Sequence, residues 1–269
     1  MDLLDGDWRL IREERRSGPM QMALDEIAAR TAGDGGPRTV RVYTWSPTTL
    51  SLGYRQDPAT VDWERCEREG TTVTRRQTGG GGIYHDAYGD ISYSIVAPAA
   101  DLPGDLMESY EILMEPVFDA FDRMGVPATY VSSKRPALYE PACYLRDLHP
   151  AHDVVVDGRK ISGNAQYRQR EAVIQHGSLS YALDPDAHRG VFTDVPVDED
   201  AFRDRITSIG EVAKIDRPTA VKALEAALES WAGAREGAWT DAEIDAATSL
   251  AEEKYGSPDW NRDRSDTTN

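Results

Sequence analysis

At 269 residues with 40% hydrophobic content, the chain is long enough to bury a sizeable core, as one large domain or one domain with an appendage. A formal net charge of -17 and an isoelectric point near 4.7 exclude nucleic acid as a partner, because a phosphate backbone calls for a basic footprint. No run approaches the roughly 18 apolar residues of a membrane span, and the acidic, interrupted start MDLLDGDWRLIREE does not read as a secretory signal, so the expectation is a cytoplasmic protein without a membrane partner.

Pro19 to Arg30 has helical spacing, with Met22, Ile27 and Ala28 on one face and the glycines at 33, 35 and 36 closing it. Residues 39 to 56 alternate apolar and polar types on either side of Ser46-Pro47, which predicts two strands joined by a turn. Asp62 to Gly70 reads as a short helix and Thr71 to Arg76 as a strand. That strand leads into RRQTGGGGIYHD, residues 75–86. Ile91 to Ala97 is strand-like, and Met107 to Gly125 has the length of an amphipathic helix. Asp157-Gly158 lies between β-rich runs in residues 152–166 and predicts a hairpin, followed by a strand over 173–183. From about residue 198 the pattern turns helical, with candidates at 221–231 and at 240–255, the latter opened by the capping box Thr240-x-x-Glu243. The expectation is an α+β fold: a mixed β-sheet core packed with helices over 1–197, a helical C-terminal section of the same domain over 198–258, and a flexible tail over 259–269.

Four consecutive glycines, Gly79 to Gly82, form either a loop tip or a backbone cradle that a ligand approaches closely. No Gly-Lys-Ser/Thr follows them, and Tyr84 stands where the last glycine of a dinucleotide fingerprint belongs, so both common nucleotide templates fail. What remains is a run of backbone N–H groups beside Arg75 and Arg76, suited to an anionic or carbonyl-bearing ligand. The second block is residues 158–181, where Lys160 precedes Ser162-Gly163 and His176-Gly177 follows. Only five lysines occur, at 134, 160, 214, 222 and 254, so one inside a motif is informative. The acid excess with few lysines is the composition of a protein working in concentrated salt. Cys66 and Cys143 form no disulfide framework and no metal-ligand set, and His149 with His152 has no carboxylate or thiol spacing to complete a site, so no metal is expected. The Leu224, Leu228 and Trp231 stripe reads as core packing.

Met22-Ala23-Leu24-Asp25-Glu26, Ser51 to Gln56, Arg75 to Gly81 with His85-Asp86, and Asp153 through Lys160-Ile161-Ser162-Gly163 to His176-Gly177-Ser178 together resemble the lipoate-protein ligase A family, within the superfamily that also holds biotin-protein ligases and octanoyltransferases. The resemblance covers roughly residues 20 to 185 and implies the superfamily's catalytic-domain fold in an archaeal halophile member without the C-terminal accessory domain. It implies a ligase that activates lipoate, or octanoate, with ATP and Mg2+ to an acyl-AMP. The acyl group then passes to a lysine of a lipoyl acceptor domain of a 2-oxoacid dehydrogenase or glycine cleavage protein. Under this resemblance Lys160 contacts the carbonyl and α-phosphate as a cation, Arg76 holds the acid or phosphate region, Thr78, Gly79, Gly80, Gly81 and Gly82 line the site, His85 and Asp86 shape it, and Ser162 and Gly163 belong to the lysine motif. Asp86 or a substrate phosphate is the candidate base.

The block HDAYGD is one residue longer than the family pattern, and Gly82 stands in place of its alanine. A small accessory subunit is the expected supplier of the missing C-terminal part. The resemblance also carries a competing chemistry. Cys143, 17 positions before Lys160, lies about where the cysteine-dependent octanoyltransferases of the superfamily keep their nucleophile. Such an enzyme moves an octanoyl group from an acyl carrier protein through a thioester, without ATP. A third reading is a lipoyl or acyl-adenylate binding subunit that does no chemistry.

Overall fold

The computed structural model describes residues 3, 6–148, 153–168 and 171–263. His149 and His152, weighed as metal ligands from sequence, lie outside them. Eight strands form the larger sheet, in the order β11 (Arg235–Glu236), β1 (Trp8–Arg16), β2 (Arg38–Trp45), β6 (Asp90–Pro98), β10 (Ala172–Ser180), β9 (Arg159–Arg168), β8 (Asp153–Val156) and β7 (Thr129–Tyr130). The β11–β1 and β1–β2 pairs are parallel and the others antiparallel, so the sheet is mixed as expected. A smaller sheet carries β3 (Thr49–Leu52) between β4 (Thr72–Arg75), which is parallel to it, and β5 (Ile83–His85), which is antiparallel. The helices are α1 (Gly18–Gly33), α2 (Trp63–Glu69), α3 (Leu106–Met124), α4 (Pro185–Gly190), α5 (Glu199–Arg205), α6 (Ile209–Val212), α7 (Arg217–Ala232) and α8 (Asp241–Leu250).

Strand alternation divides the large sheet into two working faces. Val40, Val42, Ile91, Tyr93, Ile95, Ile161, Val173 and Leu179 turn to α3 and α7 and build the main core. Tyr43 and Trp45, two apart on β2, turn the other way into a cluster with Met22, Leu24 and Ile27 of α1. The two strands expected on either side of Ser46-Pro47 form as β2 and β3, but they serve different sheets: β2 is buried along its whole length in the large sheet, whereas β3 leaves it and pairs in the small one. The hairpin at Asp157-Gly158 forms as the dipeptide predicts, with φ of 50° and 74°.

The tail expected to be flexible from residue 259 continues as a helical turn, Asp259–Asp263, after a wide π-type turn at Ala251–Tyr255. Trp260 is the reason. Its indole is buried and donates to the Arg75 carbonyl at 2.8 Å, while Arg75 Nε donates to the Trp260 carbonyl at 3.0 Å. Arg75 also donates to Gly53, Tyr54 and Gln56 oxygens on one side and Asn261 on the other, so this arginine ties the turn at Asp259–Asp263 to the strand that delivers the glycines.

Candidate active site

A cavity of about 300 Å3 lies against the face of β2, β6, β10, β9 and β8, with the glycine loop and the Cys143 turn as its other walls. The space exists because the central strands carry short side chains on this face, at Ser92, Gly163, Ala165 and Ser178. The floor runs from ionic groups on β8 and β9 to aromatic ones on β2. At the first end are Asp153, Lys160 and Cys143; at the other are Tyr43 and Trp45, with Met22 of α1 and Ile83 of β5.

Lys160 is 3% exposed, and its Nζ lies 2.7 Å from Asp153 Oδ1, 3.1 Å from the Cys143 carbonyl oxygen and 3.7 Å from Cys143 Sγ. Burial works against its charge, but negative charge at Cys143 and Asp153 outweighs burial and holds the ammonium above the ordinary lysine range. It stands as a cation. Cys143 is half-buried and opens a 3-10 turn, Cys143–Leu145. Gly82 fixes that turn, donating its N–H to Pro141 O at 2.7 Å and accepting from Cys143 N at 2.8 Å. Glycine is required for this approach: a Cβ on Gly81 would meet Cys143 N and Pro141 O at 2.8 Å. Gly79, Gly80 and Gly81 line the cavity, whereas Gly82, expected to line it as well, instead faces Phe192 and Gln56 and holds the thiol-bearing turn against the lysine. No described residue accepts the N–H groups of Gly79, Gly80 or Gly81.

A family model described as "Lipoyl protein ligase A/B catalytic domain" matches residues 17–230. The chain belongs to this family. Among relatives of this lipoyl ligase A/B chain, "Octanoyltransferase LipM" of Brevibacillus brevis is 31% identical over 276 residues, covering 94% of this chain and 98% of that one. The protein of the same name from Kyrpidia tusciae is 34% identical over 277 residues, with the same coverage. Among solved structures, a lipoate-protein ligase A bound with ATP superimposes with a TM-score of 0.77 at 25% identity, covering 97% of this chain and 99% of that one. A putative lipoate protein ligase from T. acidophilum with bound lipoic acid has the same fold, with a TM-score of 0.77 at 24% identity over 96% of this chain and 99% of that one.

The other residues singled out from the family motifs take different places. Arg76 lines the cavity, but its five N–H groups all go to the chain itself: Ser51 O at 2.6 Å, Ser51 Oγ at 2.9 Å, Thr78 Oγ1 at 3.2 Å, and the Gly79 and Gly81 oxygens, both at 3.0 Å. Burial pulls its pKa down to about 10, and no described carboxylate forms an ion pair with it. Through these bonds Arg76 staples the loop. Thr78 stands behind the wall, 2.8 Å from His176 Nε2, and Ser162 is fully buried beneath the floor. Asp86 does not face the cavity. Its Oδ1 accepts from the N–H groups of Tyr88 and Gly89 at 2.8 and 2.6 Å, closing the turn that the extra residue of HDAYGD creates. The carboxylate that meets His85 is Asp90, with Nδ1 to Oδ2 at 2.9 Å.

Asp90, Asp153, Arg146 and Asp25 received no role from sequence. Asp25 pairs with Arg41 at 2.8 Å and lies 3.2 Å from His176 Nδ1; burial opposes its charge, but Arg41 prevails and keeps the carboxyl below its ordinary value.

Proposed function

We propose that this chain is an octanoyltransferase that takes an octanoyl group from a carrier thioester onto Cys143 and passes it to a lysine of a lipoyl acceptor domain. The observation that carries the reading is Cys143 Sγ in the cavity, 3.7 Å from the Lys160 ammonium. The sulfur is the nucleophile that a thioester transfer needs, and the buried ammonium stands beside it. The thiolate attacks the thioester carbonyl, the carbon–sulfur bond to the carrier breaks, and the carrier leaves as a thiolate that takes a proton from water. The amine of the acceptor lysine, having lost its ammonium proton to water, then attacks the Cys143 thioester carbonyl; the carbon–sulfur bond breaks, the amide forms as the nitrogen gives a second proton to water, and the Cys143 thiolate returns. The Lys160 ammonium and the unaccepted N–H groups of Gly79 to Gly81 are the donors available to the oxyanion that develops in each step.

Similarity to the octanoyltransferases, at 31–34% over nearly the full length, supports this reading over the ATP-dependent one. The commitment of the Arg76 donors to the loop points the same way, because it withdraws the cation expected at an acyl phosphate. With no adenylate to form, neither Mg2+ nor the accessory subunit has a part. The test mixes the purified protein with octanoyl-acyl carrier protein, without ATP, and follows intact mass. A one-octanoyl adduct forms on the wild type and not on Cys143→Ala, and it moves to a lipoyl acceptor domain. Acceptor modification that requires ATP and free acid, and that survives in Cys143→Ala, overturns the proposal in favour of the ligase.

A further inference from the structure

Three chains of hydrogen bonds run from the walls of the cavity to a single buried carboxylate. A carboxylate accepts only, so His85 Nδ1 carries the proton toward Asp90 Oδ2 at 2.9 Å, and its Nε2 must accept from the Ser51 hydroxyl at 2.7 Å. Ser51 Oγ in turn accepts from Arg76 at 2.9 Å, and Arg76 holds the glycine loop. From a second wall, the Ser178 hydroxyl donates to Asp90 Oδ2, leaving Ser178 Oγ to accept from the Tyr144 hydroxyl at 3.3 Å. Tyr144 follows Cys143 in the same turn. From the third, Ser92 donates to Asp90 Oδ1 at 2.7 Å and accepts from the Trp45 indole at 2.9 Å. The Trp45 ring stacks on His85 at 4.0 Å between centroids and an interplanar angle of 17°, so the first and third chains brace each other.

Each chain points one way, ending where no proton is donated back. The Asp25 carboxylate takes a comparable Thr78–His176 chain but is compensated by Arg41, whereas no Lys or Arg side chain pairs with Asp90 among the described residues. Its main chain is anchored from outside the site, the Asp90 oxygen accepting from Arg217 of α7 at 3.1 Å.

We infer that Asp90 is the positioning residue that orients the glycine loop, the Cys143 turn and the aromatic end of the cavity together, by fixing the proton order of all three chains. An amide at this position always turns an N–H2 toward at least one hydroxyl or imidazole that already donates, so one chain loses its acceptor here and must turn that proton elsewhere. The roles given to the walls rest on the acyl-transfer reading; the proton order does not.

Nitrogen-15 NMR of the imidazoles in the full-length protein reads that order directly, and His85 is expected as the Nδ1–H tautomer. Asp90→Asn is expected to lower the rate constant for octanoyl adduct formation on Cys143 about 100-fold, as small displacements of a nucleophile do, with KM for octanoyl-acyl carrier protein little changed. Ser178→Ala, which cuts only the Tyr144 chain, is expected to lower the same rate constant, and Ser178→Thr, which keeps the hydroxyl, to recover it; this pair decides the matter should Asp90→Asn not fold. An Nε2–H tautomer in the wild type, or wild-type adduct rates in both Asp90→Asn and Ser178→Ala, overturns the inference. Absence of any adduct in the wild type instead counts against the transfer reading, and the tautomer still judges the inference.

Discussion

Lys160 is held by a carboxylate from the neighbouring strand, and that pairing decides what the lysine can do. With both side chains 3% exposed, removing one partner strands the other charge out of water, which costs about 3–5 kcal/mol. Asp153→Asn is therefore expected to lower the unfolding free energy by about that amount in urea titrations and to slow adduct formation on Cys143. The pH dependence has a definite sign. The folded ammonium titrates above its unfolded value of about 10.4, so its stabilisation is complete below that pH and is lost as pH rises through the folded pKa. Wild type should lose stability in that alkaline window, and Asp153→Asn should lose less. The lysine stood out in the sequence because lysines are scarce and its neighbours form a motif. Its carboxylate did not, since nothing local distinguishes an acid at the start of β8 from a solvated one. The same limit explains Asp86 and Asp90. Adjacency in His85-Asp86 suggested a pair, but the extra residue in HDAYGD turns Asp86 onto the backbone and brings the next acid, at the start of β6, to the histidine.

Elements with strong local signals were readable: α3, the β8–β9 hairpin and the capping box of α8 form where spacing and turn chemistry place them. What the sequence concealed was how they dock. Glu243 closes the capping box with Thr240, but it also accepts two bonds from Arg9 of β1, at 2.8 and 2.6 Å, and one from Thr31 of α1 at 3.0 Å. One carboxylate joins α8 to β1 and α1, which lie 234 and 212 residues earlier at the contacting positions, and no windowed pattern contains that information. Burial raises its pKa, but the Arg9 guanidinium and the cap more than reverse this and hold it at about 2 instead of 4.5. A depressed carboxylate stabilises above its unfolded value, so this contribution is present above about pH 4.5 and drains away as pH falls toward 2. Glu243→Ala is expected to cost about 3 kcal/mol at neutral pH, with a thermal midpoint that falls less than the wild type's between those pH values. Equal acid sensitivity in the two proteins would assign the acid loss elsewhere. The division into two sheets was hidden for a similar reason: strands β2 and β3 look alike over four residues, and only their long-range partners separate them.

Across the whole molecule, 47 acidic residues face 30 basic ones, and local structure uses only part of the excess. Asp62, Asp105, Asp184, Asp198 and Asp216 each cap a helix by accepting a backbone N–H, a role that a charge at a helix N-terminus fills at any ionic strength. Asp25, Asp90 and Asp153 are buried in the site. Most of the other acids sit on a surface where they outnumber the cations, and their mutual repulsion opposes the compact state. Salt at about 1 M shortens the screening length from about 10 Å to about 3 Å and removes most of that repulsion. The thermal midpoint of the wild type is accordingly expected to rise steadily as KCl increases from about 0.1 M to about 1 M, measured by calorimetry at neutral pH. The buried groups provide an internal control. Ions do not reach a pair as enclosed as Lys160–Asp153, so the difference in stability between wild type and Asp153→Asn should stay constant over the same range while both midpoints climb. A midpoint that falls with salt, or a gap that closes, would show that the acid excess is not what limits stability and that solvent penetrates the site.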